Sequence, residues 1–236
     1  MAGLPRLLFV FFLFALVTVP LLPFQMFAWK LQRFWHKALP HWWQKFMCRL
    51  LGFRLHRHGA MANGRPLLIV ANHVSWSDIL VLGAIGKVSF VAKSDMESWP
   101  VFGFFAKLQR TIFIHRENRQ NAGEQANEIA MRLRSGDALV LFPEGTTSDG
   151  NRVLPFKSTL FAAFYTHGLD HILHIQPVTV VYHAPQGQDP RYYGWWGEMD
   201  FAPHLAQVLA TRRQGRVEVI FHPPVPVNAY PSRKEL

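Results

Sequence analysis

From Leu7 to Trp29 the chain carries no charged residue. That is 23 residues, against the ~20 that cross the hydrocarbon core of a bilayer as a helix. The run begins Leu7-Leu8-Phe9-Val10-Phe11-Phe12-Leu13-Phe14-Ala15-Leu16-Val17, an apolar helix with no polar face. Pro20 and Pro23 interrupt its far end, and proline breaks the internal ladder of a helix, so the uninterrupted helix is expected to fall short of a full span. A cleaved signal peptide would need a small-x-small site after the run. Pro20 to Trp29 is bulky instead, so the segment is expected to stay attached.

The next stretch extends the membrane reading. Between residues 27 and 55, Trp29, Phe34, Trp35, Trp42, Trp43 and Phe46 alternate with Lys30, Arg33, Lys37, Lys45, Arg49 and Arg54, and no acidic residue occurs. Packing against a core accounts for the aromatic residues. It does not account for the missing acids, whereas a helix lying among lipid headgroups accounts for both. The formal net charge is +10, half the residues are hydrophobic and 17% are charged. A disordered chain is excluded by that hydrophobicity. Nucleic acid is not expected as a partner, because the basic residues cluster beside Trp and Phe and no nucleic-acid motif occurs. The basic excess follows the apolar run, which places the remaining chain on the cytoplasmic side of the inner membrane. The single cysteine, Cys48, excludes an internal disulfide framework and a cysteine-rich zinc site. No metal site is expected.

The chain is expected to divide into a membrane-associating segment, residues 1–58, and a catalytic domain, residues 59–236. In the latter, short apolar runs read as buried strands: Leu67 to Ala71, Val88 to Ala92, Thr111 to Ile114, Ala138 to Phe142, Ile175 to Tyr182 and Val217 to Phe221. Helical patterns lie between them at Ser77 to Ala84, Gln120 to Arg134 and Lys157 to Thr166. Ala184 to Gly197 reads as a long loop. Strands alternating with helices give an α/β fold, a mixed β-sheet covered by helices, carrying the N-terminal hydrophobic helical anchor.

Three motifs stand at strand ends, where such sheets bind ligands. Asn72-His73-Val74-Ser75-Trp76-Ser77-Asp78 follows the first run. A histidine serves as a general base near neutral pH, and a carboxylate can fix its tautomer and stabilise the imidazolium. With no Gly-x-Ser-x-Gly elbow in the chain, such a base would activate a substrate hydroxyl. The competing reading makes Asn72 and Asp78 helix caps. Phe142-Pro143-Glu144-Gly145-Thr146-Thr147-Ser148 follows another run. Gly145 permits close backbone approach and an amide cradle for an anion, or the motif is a plain turn. Lys93 and Arg116 end two further strands and carry charge suited to an anion, though surface residues of this kind are common.

Taken in order, His-x4-Asp, Val91-Ala92-Lys93, Pro100-x-Phe102-Gly103, Phe113-Ile114-x-Arg116, Phe142-Pro143-Glu144-Gly145-Thr146, Pro155-Phe156-Lys157-Ser158 and Gln176-Pro177-Val178 resemble the glycerolipid acyltransferases, and among them the bacterial 1-acylglycerol-3-phosphate acyltransferase family. The resemblance covers roughly residues 65–185. It implies a membrane-bound O-acyltransferase that moves a fatty acyl group from acyl-ACP or acyl-CoA to the free hydroxyl of 1-acyl-sn-glycerol-3-phosphate, giving phosphatidate. His73 would be the base and Asp78 its orienting partner. Lys93 and Arg116 would hold the phosphate, and Glu144, Gly145 and Thr146 would position the acceptor. Neither metal nor cofactor is implied. Two positions depart from the pattern. Thr147 stands where the family commonly has Arg, and His115 where it usually has Asp. The variant Glu144 to Arg152 resembles the branch that acylates lyso-ornithine lipid, which is the alternative reading. A lipid acyl hydrolase and a non-catalytic membrane scaffold are the remaining ones.

Overall fold

The computed structural model describes residues 3–31, 35–63, 66–114, 122–165 and 168–236. Two helices lead: α1 (Leu4–Lys30) and α2 (Trp35–Leu51). Then come β1 (Arg54–His58), β2 (Leu67–Ala71), α3 (Ser77–Ile85), β3 (Val88–Lys93), α4 (Phe102–Leu108), β4 (Ile112–Ile114), α5 (Ala122–Arg134) and β5 (Ala138–Leu141). The chain closes with β6 (His174–His183), α6 (Phe201–Ala210), β7 (Arg216–Phe221) and β8 (Val225–Pro226). The expected α/β architecture is present. The strands form one mixed sheet in the order β1-β7-β6-β2-β5-β3-β4, with β8 beside β6. β2 runs parallel to both β5 and β6, while β6 and β7 are antiparallel.

β2 shows how the sequence makes two cores from one sheet. Its five residues are all buried, and successive side chains point to opposite faces. Leu67, Ile69 and Ala71 join one cluster with Cys48, Leu51, Val81, Leu82 and Val208, on the side of α2, α3 and α6. Leu68 and Val70 join the other, with Ile129, Leu133, Phe161 and Phe164. A strand covered on both faces reads as a continuous apolar run, which is why this one was visible in sequence.

Several expectations change here. α1 runs unbroken through Pro20 and Pro23 to Lys30. Each proline removes one donor but leaves the turns around it intact, and tertiary contacts hold the helix: Trp43 Nε1 donates to Thr18 Oγ1 at 2.9 Å. β1 lies inside the segment assigned to the membrane, yet it pairs with β7 and belongs to the sheet. The helix expected at 157–166 is a 3₁₀ helix, Ser158–Tyr165. α6 was not anticipated.

α1 is fastened to the domain near both ends. Arg6 donates to the carbonyls of Leu209 (3.2 Å) and Leu51 (2.7 Å). Toward the other end, Gln25 Nε2 donates to the Leu108 carbonyl at 2.8 Å. The outward face of α1 presents Leu8, Phe9, Phe12, Leu16, Phe24 and Phe27 to the surroundings. It is the one described helix long and apolar enough to cross a membrane by length and composition.

Candidate active site

β2 and β5 are neighbours, and both motif loops leave their carboxyl ends. That adjacency brings His73 and Glu144 together across 71 residues of sequence. Asn72 first extends the sheet by side chain: its amide donates to the Val180 carbonyl (3.0 Å) and its Oδ1 accepts from the Val180 N–H (2.8 Å). The chain then leaves the sheet, and α3 begins at Ser77.

Asp78, in the first turn of α3, is wholly buried and aims back at the loop. Its Oδ2 accepts from His73 Nδ1 (2.7 Å), Val74 N–H (2.7 Å) and Ser75 N–H (3.0 Å). Its Oδ1 accepts from the Tyr182 hydroxyl (2.7 Å), which in turn accepts from Ser77 Oγ (2.9 Å). Asp78 is therefore the imidazole partner and the acceptor that holds the loop's backbone; it caps no amide of α3, since Val74 and Ser75 precede the helix. Burial first, and then the charge of Asp78, push the Tyr182 phenol well above its usual value, so Tyr182 stays a donor at neutral pH. With Nδ1 committed to Asp78, the His73 atom left for chemistry is Nε2. The imidazole lies flat on Phe142, ring centres 4.0 Å apart and planes 15° from parallel.

Glu144 differs from its expected role. Both of its oxygens are taken by backbone donors: Oε1 by His73 N–H (2.6 Å) and Oε2 by Leu154 N–H (2.7 Å). It is 1% exposed. The carboxylate fixes the His73 loop and turns no oxygen toward a ligand. Ser148 completes the clamp, its N–H and hydroxyl reaching the His73 carbonyl at 2.8 and 3.3 Å. Gly145 adopts φ +68°, where other residues are strained, but its N–H is spent on the Phe142 carbonyl (3.1 Å). Thr146 is exposed on the same turn. Lys93 ends β3 on the same edge of the sheet, with β5 between β3 and β2, about 10 Å away at the usual strand spacing. Arg116 lies outside the described residues.

A glutamine at position 144 should separate positioning from binding. It puts an NH₂ against a backbone N–H, so Glu144→Gln is expected to destabilise the fold by ~1–3 kcal/mol and to lower kcat. The KM for the acceptor should stay within twofold. Steady-state kinetics with a melting curve would show this; a raised KM at unchanged kcat would return Glu144 to acceptor binding.

Sequence reasoning missed the roles of Tyr182 and Ser148 at the site, and placed the loop that carries Trp195 without placing it beside His73. Trp195 N–H donates to the Val74 carbonyl at 3.0 Å, so the aromatic loop expected between 184 and 197 borders the site.

A histidine paired with a buried carboxylate at the end of a parallel strand has the geometry that a general base uses. Residues 52–181 match the Acyltransferase family, and the chain belongs to that family. It is 53% identical over 177 residues to the lyso-ornithine lipid O-acyltransferase of Rhodobacter capsulatus, a stretch covering 73% of this chain and 64% of that protein. It is 45% identical to the protein of the same name from Brucella abortus, across 100% of this chain and 91% of that one. A 1-acyl-sn-glycerol-3-phosphate acyltransferase of Neisseria gonorrhoeae is 40% identical over 42% of the chain and 41% of its own length. The crystal structure of the 1-acyl-sn-glycerophosphate acyltransferase of Thermotoga maritima shares the fold, with a TM-score of 0.67 at 22% identity, covering 100% of this chain and 91% of that one. The alternative reading, the ornithine-lipid branch, is better supported by these likenesses than the phosphatidate reading.

Proposed function

We propose that this chain acylates lyso-ornithine lipid, taking the acyl group from acyl-ACP or acyl-CoA at the cytoplasmic face of the inner membrane. The carrying observation is that relatives bearing that name match 73% or more of the chain at 53 and 45% identity, whereas the Neisseria lysophosphatidate enzyme matches 42% of it. Thr147 supports the same reading. It stands where a phosphate-binding enzyme of this family would commonly offer arginine, the side chain best shaped to hold a phosphate, and an amino-acid headgroup does not need one.

His73 Nε2 takes the proton of the acceptor hydroxyl as its oxygen attacks the thioester carbonyl. The carbon–oxygen bond forms, the tetrahedral intermediate collapses, and the carbon–sulfur bond breaks. The proton on His73 then passes to the departing thiolate. Asp78 stabilises the imidazolium between the two transfers. Lys93 and Arg116 supply cationic charge for the carboxylate of the headgroup. α1 lies in one leaflet: hydrogen bonds near both its ends fasten it to the domain, which supports an in-plane anchor over a span.

Purified protein in detergent, given labelled thioester with lyso-ornithine lipid or lysophosphatidic acid side by side, is expected to acylate the first and leave the second essentially unlabelled. Transfer to lysophosphatidic acid alone would overturn the headgroup assignment. Release of free fatty acid with no transfer would replace the acyltransferase reading with a hydrolase.

A further inference from the structure

At Pro100–Val101–Phe102 the backbone makes a turn that few residues adopt. Phe102 N–H donates to the Pro100 carbonyl at 2.7 Å, and Val101 sits between them at φ 65°, ψ −55°. This is the rare, strained form of the γ-turn, and a β-branched residue suits it poorly. Such strain persists only where neighbouring structure imposes it, commonly at functional positions. Here the neighbour is the 94–98 segment, whose close approach Gly103 permits. A Cβ on Gly103 would lie 2.2 Å from the Glu97 carbonyl oxygen, so residues 94–98 press directly on the turn.

The turn drives apolar side chains outward. Val101 is 59% exposed, Phe102 39% and Phe104 43%, and no charge occurs from Trp99 to Ala106. On one side the patch is continuous with the membrane helices: Phe104 packs on Phe105, which lies 6.2 Å from Phe14 of α1 and stacks on Trp43 of α2 at 5.5 Å. On the other side it reaches the site. Phe102 meets Phe201 at 4.8 Å, and Phe201 meets Trp76 at 6.1 Å, three residues past His73. Trp76 is itself fixed, its Nε1 donating to His204 Nδ1 at 3.0 Å. Two groups of rings, one reaching α1 and α2 through Phe105 and the other reaching the His73 loop through Phe102, thus meet on residues 102–105 of one helix.

We propose that residues 99–104 form a second membrane-inserting element, seated in the acyl region of the same leaflet as α1, and that the acyl chain of the lipid acceptor crosses this lip to reach His73. The occupant is lipid, because the exposed side chains of Val101, Phe102 and Phe104 are all apolar and adjoin α1 through Phe105 and Phe14, with the ion pair Glu97–Lys107 at the edge of the patch as a headgroup-level border. The role in acceptor entry rests on the acyltransferase reading; the membrane contact does not.

Val101→Cys in the full chain accepts a thiol-reactive fluorophore. Cys48 does not compete, being buried with its thiol pushed up to about 12. In phosphatidylcholine–phosphatidylglycerol vesicles, the label is expected to be quenched by chain-brominated lipid and shielded from aqueous iodide. The same label at Met131→Cys, an exposed position on α5, should behave oppositely. Equal iodide access at the two positions would overturn the insertion. Val101→Asn with Phe104→Ser is expected to raise the KM for vesicle-borne acceptor roughly tenfold, with little change for acceptor in micelles. An identical change in both presentations would overturn the lip. Quenching needs no turnover, so failure of the acyltransferase reading would show separately.

Discussion

Replacing His73 by alanine is expected to slow acyl transfer by about 10²–10⁴-fold, the usual yield of a positioned general base, while the protein stays folded. The fold survives because the loop around residue 73 is held through its backbone. Glu144 takes the His73 N–H and Ser148 the carbonyl, and alanine keeps both groups. The chemistry does not survive, because among the described residues no other side chain is shown at the Asp78 carboxylate with an open ring nitrogen. Initial rates with labelled thioester, beside a melting curve, decide the matter. A variant that keeps most of its rate would remove His73 from the mechanism and move the chain toward a membrane scaffold.

Asp78→Asn is expected to cost a similar factor, on the order of 10²–10⁴, by a different route. Asparagine can still accept from the amides of Val74 and Ser75, and its NH₂ can turn to the Tyr182 oxygen. What disappears is the negative charge 2.7 Å from His73 Nδ1, and with it the stabilisation of the imidazolium. The stability loss should be ~1.5–3 kcal/mol, the worth of hydrogen bonds to a charged group. Rate loss with a folded protein is the expected pair of results. A protein that melts outright would mean that Asp78 serves chiefly as the buried acceptor that holds the 73–75 loop.

What the sequence disclosed follows from how each element is buried. β2 and β5 were legible because a strand covered on both faces must be apolar throughout. His73 and Asp78 were legible because they are five residues apart, so one turn and the start of α3 bring them together. Tyr182 was not, since it reaches Asp78 from 104 residues away and no local pattern encodes that meeting. β1 was hidden for the opposite reason: Arg54–His58 is a mostly exposed edge strand of polar residues, without the periodicity that announces a strand. Glu144 was found as a site residue but given a ligand to hold. Motif order alone cannot show that both its oxygens are already occupied by the backbone.

The bond between Arg6 and the Leu209 carbonyl joins residues 203 positions apart. A ribosome adding ~5–20 residues per second needs roughly 10–40 s to make that much chain. Through most of that interval α1 and its partner α2 exist and the α6 side of their packing does not. The apolar helix is therefore made long before α6, which closes onto it last, so the domain assembles from its N-terminal helix outward.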